Sequence, residues 1–157
     1  MNRPIKIKTL ALVFGLALVL SLVGCESQTN KNADLAVGEA ADYDGWTVTV
    51  VEVAQFGWVD EQTAITVRYE NNTDDSVMRV DQSDWKLEDK NGVRSQETTT
   101  GVTEEALPSG EVAPGATVEG RVFFDTPTEN LSRIVYEPGW DPDEVEEATW
   151  VAGYTGD

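Results

Sequence analysis

The stretch Gly45-Trp46-Thr47-Val48-Thr49-Val50-Val51-Glu52-Val53 decides the fold. Trp46, Val48 and Val50 occupy alternate positions, with Thr47 and Thr49 between them. A period of two is that of a half-buried β-strand, one face toward a core and the other toward water. The adjacent Val50 and Val51 break the phase, and Val51 and Val53 are expected to continue on the opposite face. Such a break predicts a bulge or a strand that crosses between sheets.

The same period spreads outward from this segment. In AITVRYENNT (64–73), Ile65, Val67 and Tyr69 alternate with Thr66, Arg68 and Glu70. That strand is expected to end at Asn71-Asn72, residues that tolerate left-handed turns. SVMRV (76–80) and DWKLED (84–89) supply two short strands, the second with Trp85 and Leu87 on one face. Asp89-Lys90-Asn91-Gly92 then carries the Asn-Gly signal of a hairpin. Residues 93–102 read as a polar edge strand or loop, whose charges discourage pairing with other chains. LPSGEVAPGATVEGRVFFDTP (107–127) begins as a Gly- and Pro-rich corner. It continues as a strand with Val118, Gly120, Val122 and Phe124 on one face. LSRIVYEP (131–138) and EATWVAGY (147–154) complete the pattern. Seven to nine short antiparallel strands in roughly 110 residues, with turn signals between them, predict an all-β sandwich. Trp46, Trp85 and Trp150 lie within alternating strands and are expected in its core. With one cysteine in the chain, packing alone must hold the sheets together.

The N-terminus has a different character. Arg3, Lys6 and Lys8 precede an apolar run of 14 residues, 10–23, interrupted by Gly15 and Ser21. About 20 apolar residues are needed to span a bilayer, whereas the apolar part of a secretory signal takes about 7 to 15. Leu22-Val23-Gly24-Cys25 resembles the lipobox of bacterial lipoprotein precursors. That resemblance implies cleavage between Gly24 and Cys25, a diacylglyceryl group on the Cys25 sulfur and palmitate-type acylation. It places the mature protein on the outer face of the cell membrane. Two acyl chains hold a protein stably where one holds it only reversibly. Residues 26–42 are polar, with Leu35 and Val37 as the sizeable apolar residues, and are expected to form a flexible tether. The organisation that follows is 1–24 signal peptide, 25–42 lipidated N-terminus and tether, and 43–157 β-sandwich domain.

The chain carries 29 acidic and 11 basic residues. With the three N-terminal bases removed, 8 bases stand against 29 acids, a net of −21. Such a surface repels phosphate backbones and anionic lipid headgroups, which argues against nucleic-acid binding. Basic proteins and cations are its electrostatic complement.

Catalytic chemistry finds little material. The chain has no histidine, which removes Ser-His-Asp and Cys-His arrangements and histidine-based zinc sites. No glycine-rich phosphate loop is present. The chain is therefore expected not to be an enzyme and to carry no cofactor beyond the lipid on Cys25. Calcium, a hard cation, fits the acidic loops best: Asp141, Asp143 and Glu144, with Glu146 and Glu147, in WDPDEVEE, or Asp74, Asp75, Asp81 and Asp84. Trp58 and Trp140, near turns and beside carboxylates, are candidate partner-binding aromatics, and Phe56 lies close to the first. Asn71-Asn72-Thr73 matches a glycosylation sequon but is expected to mark a turn.

GWTVTVVEV, AITVRYENNT, WKLEDKNG and the terminal ATWV resemble the immunoglobulin-like domain of unknown function at the C-terminus of many Gram-positive surface lipoproteins. The most distinctive segment is the Pro114-Gly115 corner followed by Gly120, Phe123, Phe124 and Pro127. The resemblance covers about residues 38 to 152 and implies a β-sandwich without implying an activity. Function is thus expected to be that of a membrane-anchored lipoprotein whose sandwich binds an unidentified protein or cell-envelope ligand. The alternative is an accessory lipoprotein that captures calcium or a solute with its acidic loops.

Overall fold

The computed structural model describes residues 30–56, 62–98, 105–139 and 146–153. Among them are eleven strands: β1 (Leu35–Ala36), β2 (Ala40–Tyr43), β3 (Trp46–Phe56), β4 (Gln62–Asn71), β5 (Met78–Val80), β6 (Trp85–Asp89), β7 (Arg94–Gln96), β8 (Gly110–Val112), β9 (Thr117–Phe124), β10 (Leu131–Tyr136) and β11 (Ala148–Val151). They form a five-stranded sheet, β1-β11-β10-β6-β7, and a four-stranded sheet, β2-β3-β4-β9, with β5 and β8 as a separate ribbon. The fold is an all-β, immunoglobulin-like sandwich. Seven of the strands fall on the segments read as strands, β7 falls on the segment read as an edge strand or loop, and β1, β2 and β8 are additional.

The alternating residues meet between the two large sheets. Val48, Val50, Ile65, Val67 and Tyr69 from one sheet pack into one cluster with Trp85, Leu87, Ile134, Tyr136 and Trp150 from the other, all fully buried. Burying such a side chain contributes about 1.5–3 kcal/mol, so this layer is what holds the sheets together. Trp46 is likewise buried, with Tyr43 stacked on it at 4.2 Å.

The phase break at Val50-Val51 is a bulge. The register between β3 and β4 shifts between Val50 and Glu52. The extra residue returns Val53 to the core side, where it packs on the buried cluster. Val53 therefore does not continue on the opposite face as expected. The strand stays within one sheet.

The hairpin after β6 has a three-residue loop, with Asp89 N donating to Val93 O at 2.9 Å. Gly92 takes φ +81° there, a conformation that costs glycine little. Gly120 has another reason for being glycine. A Cβ on it would lie 2.5 Å from the Leu107 Cα, because residues 105–107 run directly against β9. Leu107 N donates to Arg121 O, and Arg121 N to Glu105 O, each at 2.8 Å. The fully buried Leu107 side chain occupies the core in place of one from position 120.

Three expectations need correction. Residues 30–42 are not a tether. β1 pairs with β11, Leu35 opposite Trp150, and β2 pairs with β3, Ala41 opposite Val48. Asn32, 3% exposed, donates its Nδ2 to Asp42 O at 3.2 Å and accepts from Asp42 N at 3.1 Å. Trp150 Nε1 donates to Glu39 O at 2.8 Å. These bonds offset the ordering entropy that the segment's sparse apolar content cannot. Second, the strands are not all antiparallel, since β1 and β11 run parallel. Third, Asn71 does not turn the chain in a left-handed conformation: Asp34 is the non-glycine residue with positive φ among the described residues. Asn71 ends β4 as a buried hydrogen-bond centre.

Candidate functional site

The end of the sandwich where β6 begins and β10 ends carries a recess of about 520 Å³, lined by Ser83, Asp84, Lys86, Gln96, Glu137, Pro138, Gly139 and Glu147. Local sequence builds its floor. Asp81 caps a 3₁₀ turn, Gln82–Asp84, by accepting from Ser83 N at 3.1 Å and Ser83 Oγ at 2.9 Å. The Ser83 amide, with Arg79 alongside, holds the Asp81 carboxyl below the usual carboxylate range. The turn ends at Trp85, whose indole anchors the segment by donating to Tyr69 Oη at 2.7 Å.

Asp84, between cap and anchor, is 5% exposed. Its Oδ1 accepts from Gly139 N at 3.0 Å, and its carbonyl accepts from Glu137 N at 2.7 Å. Its Oδ2 is buried and has no hydrogen-bond partner among the described residues. Loss of water raises the Asp84 carboxyl, the Gly139 amide opposing the shift and the Asp81 charge adding to it. Tyr136 Oη is a second buried polar atom, and Tyr69 is the hydroxyl-bearing side chain with which it interacts. The Tyr136 ring lies 4.9 Å from that of Trp85 and 6.0 Å from that of Tyr69. Burial pushes both phenols well above their ordinary value, and the nearby Asp84 charge adds to this.

The walls are charged but paired. Glu137 binds Lys86 and Arg94, and Arg94 also reaches Glu147 at 2.9 Å and Glu88 at 3.2 Å. This economy holds for every base after Cys25. Lys31, Arg68, Arg79, Arg121 and Arg133 each pair with a carboxylate, and Lys90 donates to Glu129 O at 2.7 Å. The bases are thus all engaged, and the surplus of acids stands without a protein counter-charge.

The hydroxyl in the recess, Ser83 Oγ, is bound to a carboxylate held low and therefore weakly basic. Asp84 Oδ2 is buried without a donor, and a buried polar atom in that state costs about 1–3 kcal/mol.

The sequence-derived candidates distribute unevenly. Gly24, Cys25, Trp58, Trp140, Asp141, Asp143 and Glu144 lie outside the described residues. Phe56 is half-buried against Phe123, ring centroids 4.7 Å apart. Asp74, Asp75, Asp81 and Asp84 are not brought together: the first two are exposed, Asp81 caps its turn and Asp84 is buried. Among the described residues no three carboxylates group to hold a metal ion. Glu137, Gly139 and Gln96 carried no signal of their own, since they converge through strand pairing rather than spacing. Pro138-Gly139 after a strand marks a turn and is the nearest thing to one.

Comparison with known proteins gives the following. The profile of a domain of unknown function, DUF4352, matches residues 35–144. No curated protein matches. Among solved structures, the yjhA protein of Bacillus subtilis is 16% identical with a TM-score of 0.58, the match covering 74% of this chain and 98% of that one. A proposed lipoprotein, ycdA, from Bacillus subtilis subsp. subtilis strain 168 is 19% identical with a TM-score of 0.54, over 71% of this chain and 37% of that one. A secreted protein of Mycobacterium tuberculosis, MPT63, is 12% identical with a TM-score of 0.54, over 74% of this chain and 94% of that one. At these identities the likeness is one of fold.

Proposed function

The chain belongs to the DUF4352 family, and from that premise we propose that it is an exported lipoprotein, anchored through Cys25, whose sandwich is a non-catalytic binding module at the outer face of the cell membrane. The basic start, the apolar run of 14 residues and Leu22-Val23-Gly24-Cys25 support the address. The structural likeness to a secreted protein and to a proposed lipoprotein agrees with it. The observation that carries the binding role is the recess of about 520 Å³, walled by Glu137 and Glu147 and built over a buried Asp84 that keeps one carboxylate oxygen unpartnered. A fold does not retain such a cost for stability.

The address is tested by Cys25→Ser. The variant should leave the membrane fraction or accumulate as an uncut precursor. Unchanged membrane retention together with an unchanged processed mass would overturn the lipid attachment.

A further inference from the structure

Asn91-Gly92 is the one Asn-Gly pair in the chain, and both residues are exposed at the tip of the β6–β7 hairpin. Such a pair carries the parts of a reaction within itself. Deprotonated Gly92 N can attack Asn91 Cγ, because glycine has no side chain to hinder the approach. The new N–Cγ bond closes a succinimide, the Cγ–Nδ2 bond breaks, and Nδ2 leaves as ammonia with the proton lost from Gly92 N. Water then opens the ring at one carbonyl or the other, leaving aspartate or isoaspartate at position 91. Water is the co-reactant, and nothing is oxidised or reduced.

In the folded hairpin Asp89 holds both reacting groups. Gly92 N donates to Asp89 O at 3.0 Å, and Asn91 Nδ2 donates to Asp89 Oδ2 at 3.3 Å. Asp89 Oδ1 also accepts from Asn91 N and Val93 N, each at 2.8 Å. The Val93 amide, helped by that of Asn91, holds the Asp89 carboxyl below the usual carboxylate range, so it is anionic at neutral pH. An anion at this turn opposes loss of the Gly92 proton. The loop is tied from outside as well, since Lys90 N donates to Asn130 O at 3.0 Å and Lys90 Nζ to Glu129 O at 2.7 Å. Ring closure needs the Asn91 and Gly92 bonds to Asp89 broken together, which is a local opening of the hairpin.

We infer that Asn91 is a site of spontaneous conversion to aspartate and isoaspartate, that Asp89 restrains it in the folded protein, and that conversion loosens β7. Either product puts a carboxylate where an amide donor met Asp89 Oδ2, so attraction becomes repulsion. Isoaspartate also brings Cβ into the main chain of a three-residue loop, and loop length sets the register of β7 on β6. The effect reaches the recess through Arg94. Its guanidinium pairs with Glu88, Glu137 and Glu147, so a shift of β7 withdraws counter-charge from two carboxylates of the recess wall.

The test incubates the full-length protein in detergent at neutral pH, folded and in urea, and follows position 91 by peptide mass and isoaspartate content. Asn91 should convert about tenfold faster in urea than in the folded protein. No conversion in urea overturns the site, and equal rates in the two states overturn the restraint. In folded protein Asp89→Ala should raise the rate about fivefold, while Glu129→Gln leaves it unchanged. Should Asp89→Ala fail to unfold cooperatively, Asp89→Ser takes its place, because a hydroxyl caps the same turn more weakly. A folded variant that converts no faster than the unsubstituted protein overturns the role of Asp89. Converted protein, separated by its added negative charge, should exchange the amide hydrogens of residues 94–96 about tenfold faster than unconverted protein. Equal exchange overturns the loosening of β7.

Discussion

Asn71 and Asp84 are both nearly fully buried polar side chains at the ends of strands, at 1% and 5% exposure, and their surroundings treat them oppositely. Asn71 uses its whole hydrogen-bonding capacity. Its Nδ2 donates to Ser76 O at 2.8 Å and Val112 O at 2.9 Å, and its Oδ1 accepts from Thr73 N at 3.1 Å and Thr73 Oγ1 at 2.7 Å. Those bonds tie β4 to the β5–β8 ribbon, and removing the side chain would orphan several partners together. Asp84 leaves one oxygen empty and is charged as well, so its burial weakens the fold. The comparison separates a polar group that builds the sandwich from one that the sandwich supports at a cost.

The largest predicted effect lies on the building side. Asn71→Ala removes the Asn71 donor from Val112 O, leaves Ser76 O with Thr73 Oγ1 alone and deprives Thr73 N of its acceptor, and should lower unfolding free energy by about 3 kcal/mol in urea titration. A loss below about 1 kcal/mol would dissolve the contrast, because Asn71 would then be no more structural than an exposed residue.

Asp84→Asn should move stability the other way. The folded carboxyl is raised above its unfolded value of 3.8. Stability of the unsubstituted protein is therefore fully present below that value and is lost as pH rises through the folded one. The variant lacks this decline, so the two proteins should melt alike in acid, with the variant ahead by about 1 kcal/mol at neutral pH. A variant that is less stable at pH 7 would mean that the carboxylate is already satisfied.

Tyr136→Phe sharpens the same point with a smaller shift. Its Oη makes no hydrogen bond of good geometry and faces the Tyr69 hydroxyl, so its removal should leave the unfolding free energy within about 0.5 kcal/mol of the original. A substantial loss would reveal a bond to that hydroxyl. Smallest of all is Arg68→Ala, which breaks an exposed pair with Glu119 at 2.8 Å. It should cost between about 0 and 1 kcal/mol and less at high salt. A larger, salt-independent loss would show surface pairs contributing as buried groups do.

Part of this architecture was legible before any coordinates. Trp46, Val48 and Val50, then Ile65, Val67 and Tyr69, announce their faces by local alternation, and a half-buried sheet imposes that period. The hairpin at 89–92 and the bulge at Val51 were visible for similarly local reasons. β1 and β2 were not, because what orders them is distant. Leu35 pairs with Trp150, and Trp150 Nε1 bonds Glu39 O, across more than 100 residues of chain. The recess was partly within reach: Asp84 stood among the acidic candidates, but as one of a calcium group with Asp74, Asp75 and Asp81. Spacing placed those four together, whereas the 3₁₀ turn sends Asp81 to its cap and Asp84 inward.

By itself, then, the sequence determined the fold class and the core-facing residues of the long strands, because periodicity and local composition carry those properties. Tertiary structure alone decided that Asn30 and Asn32 are tied to β11 and its approach, and that Asp84, Gln96, Glu137 and Gly139 meet in one recess. Strand pairing brings those groups together, and it depends on which distant segments can share hydrogen bonds and a buried face. No local pattern encodes that choice.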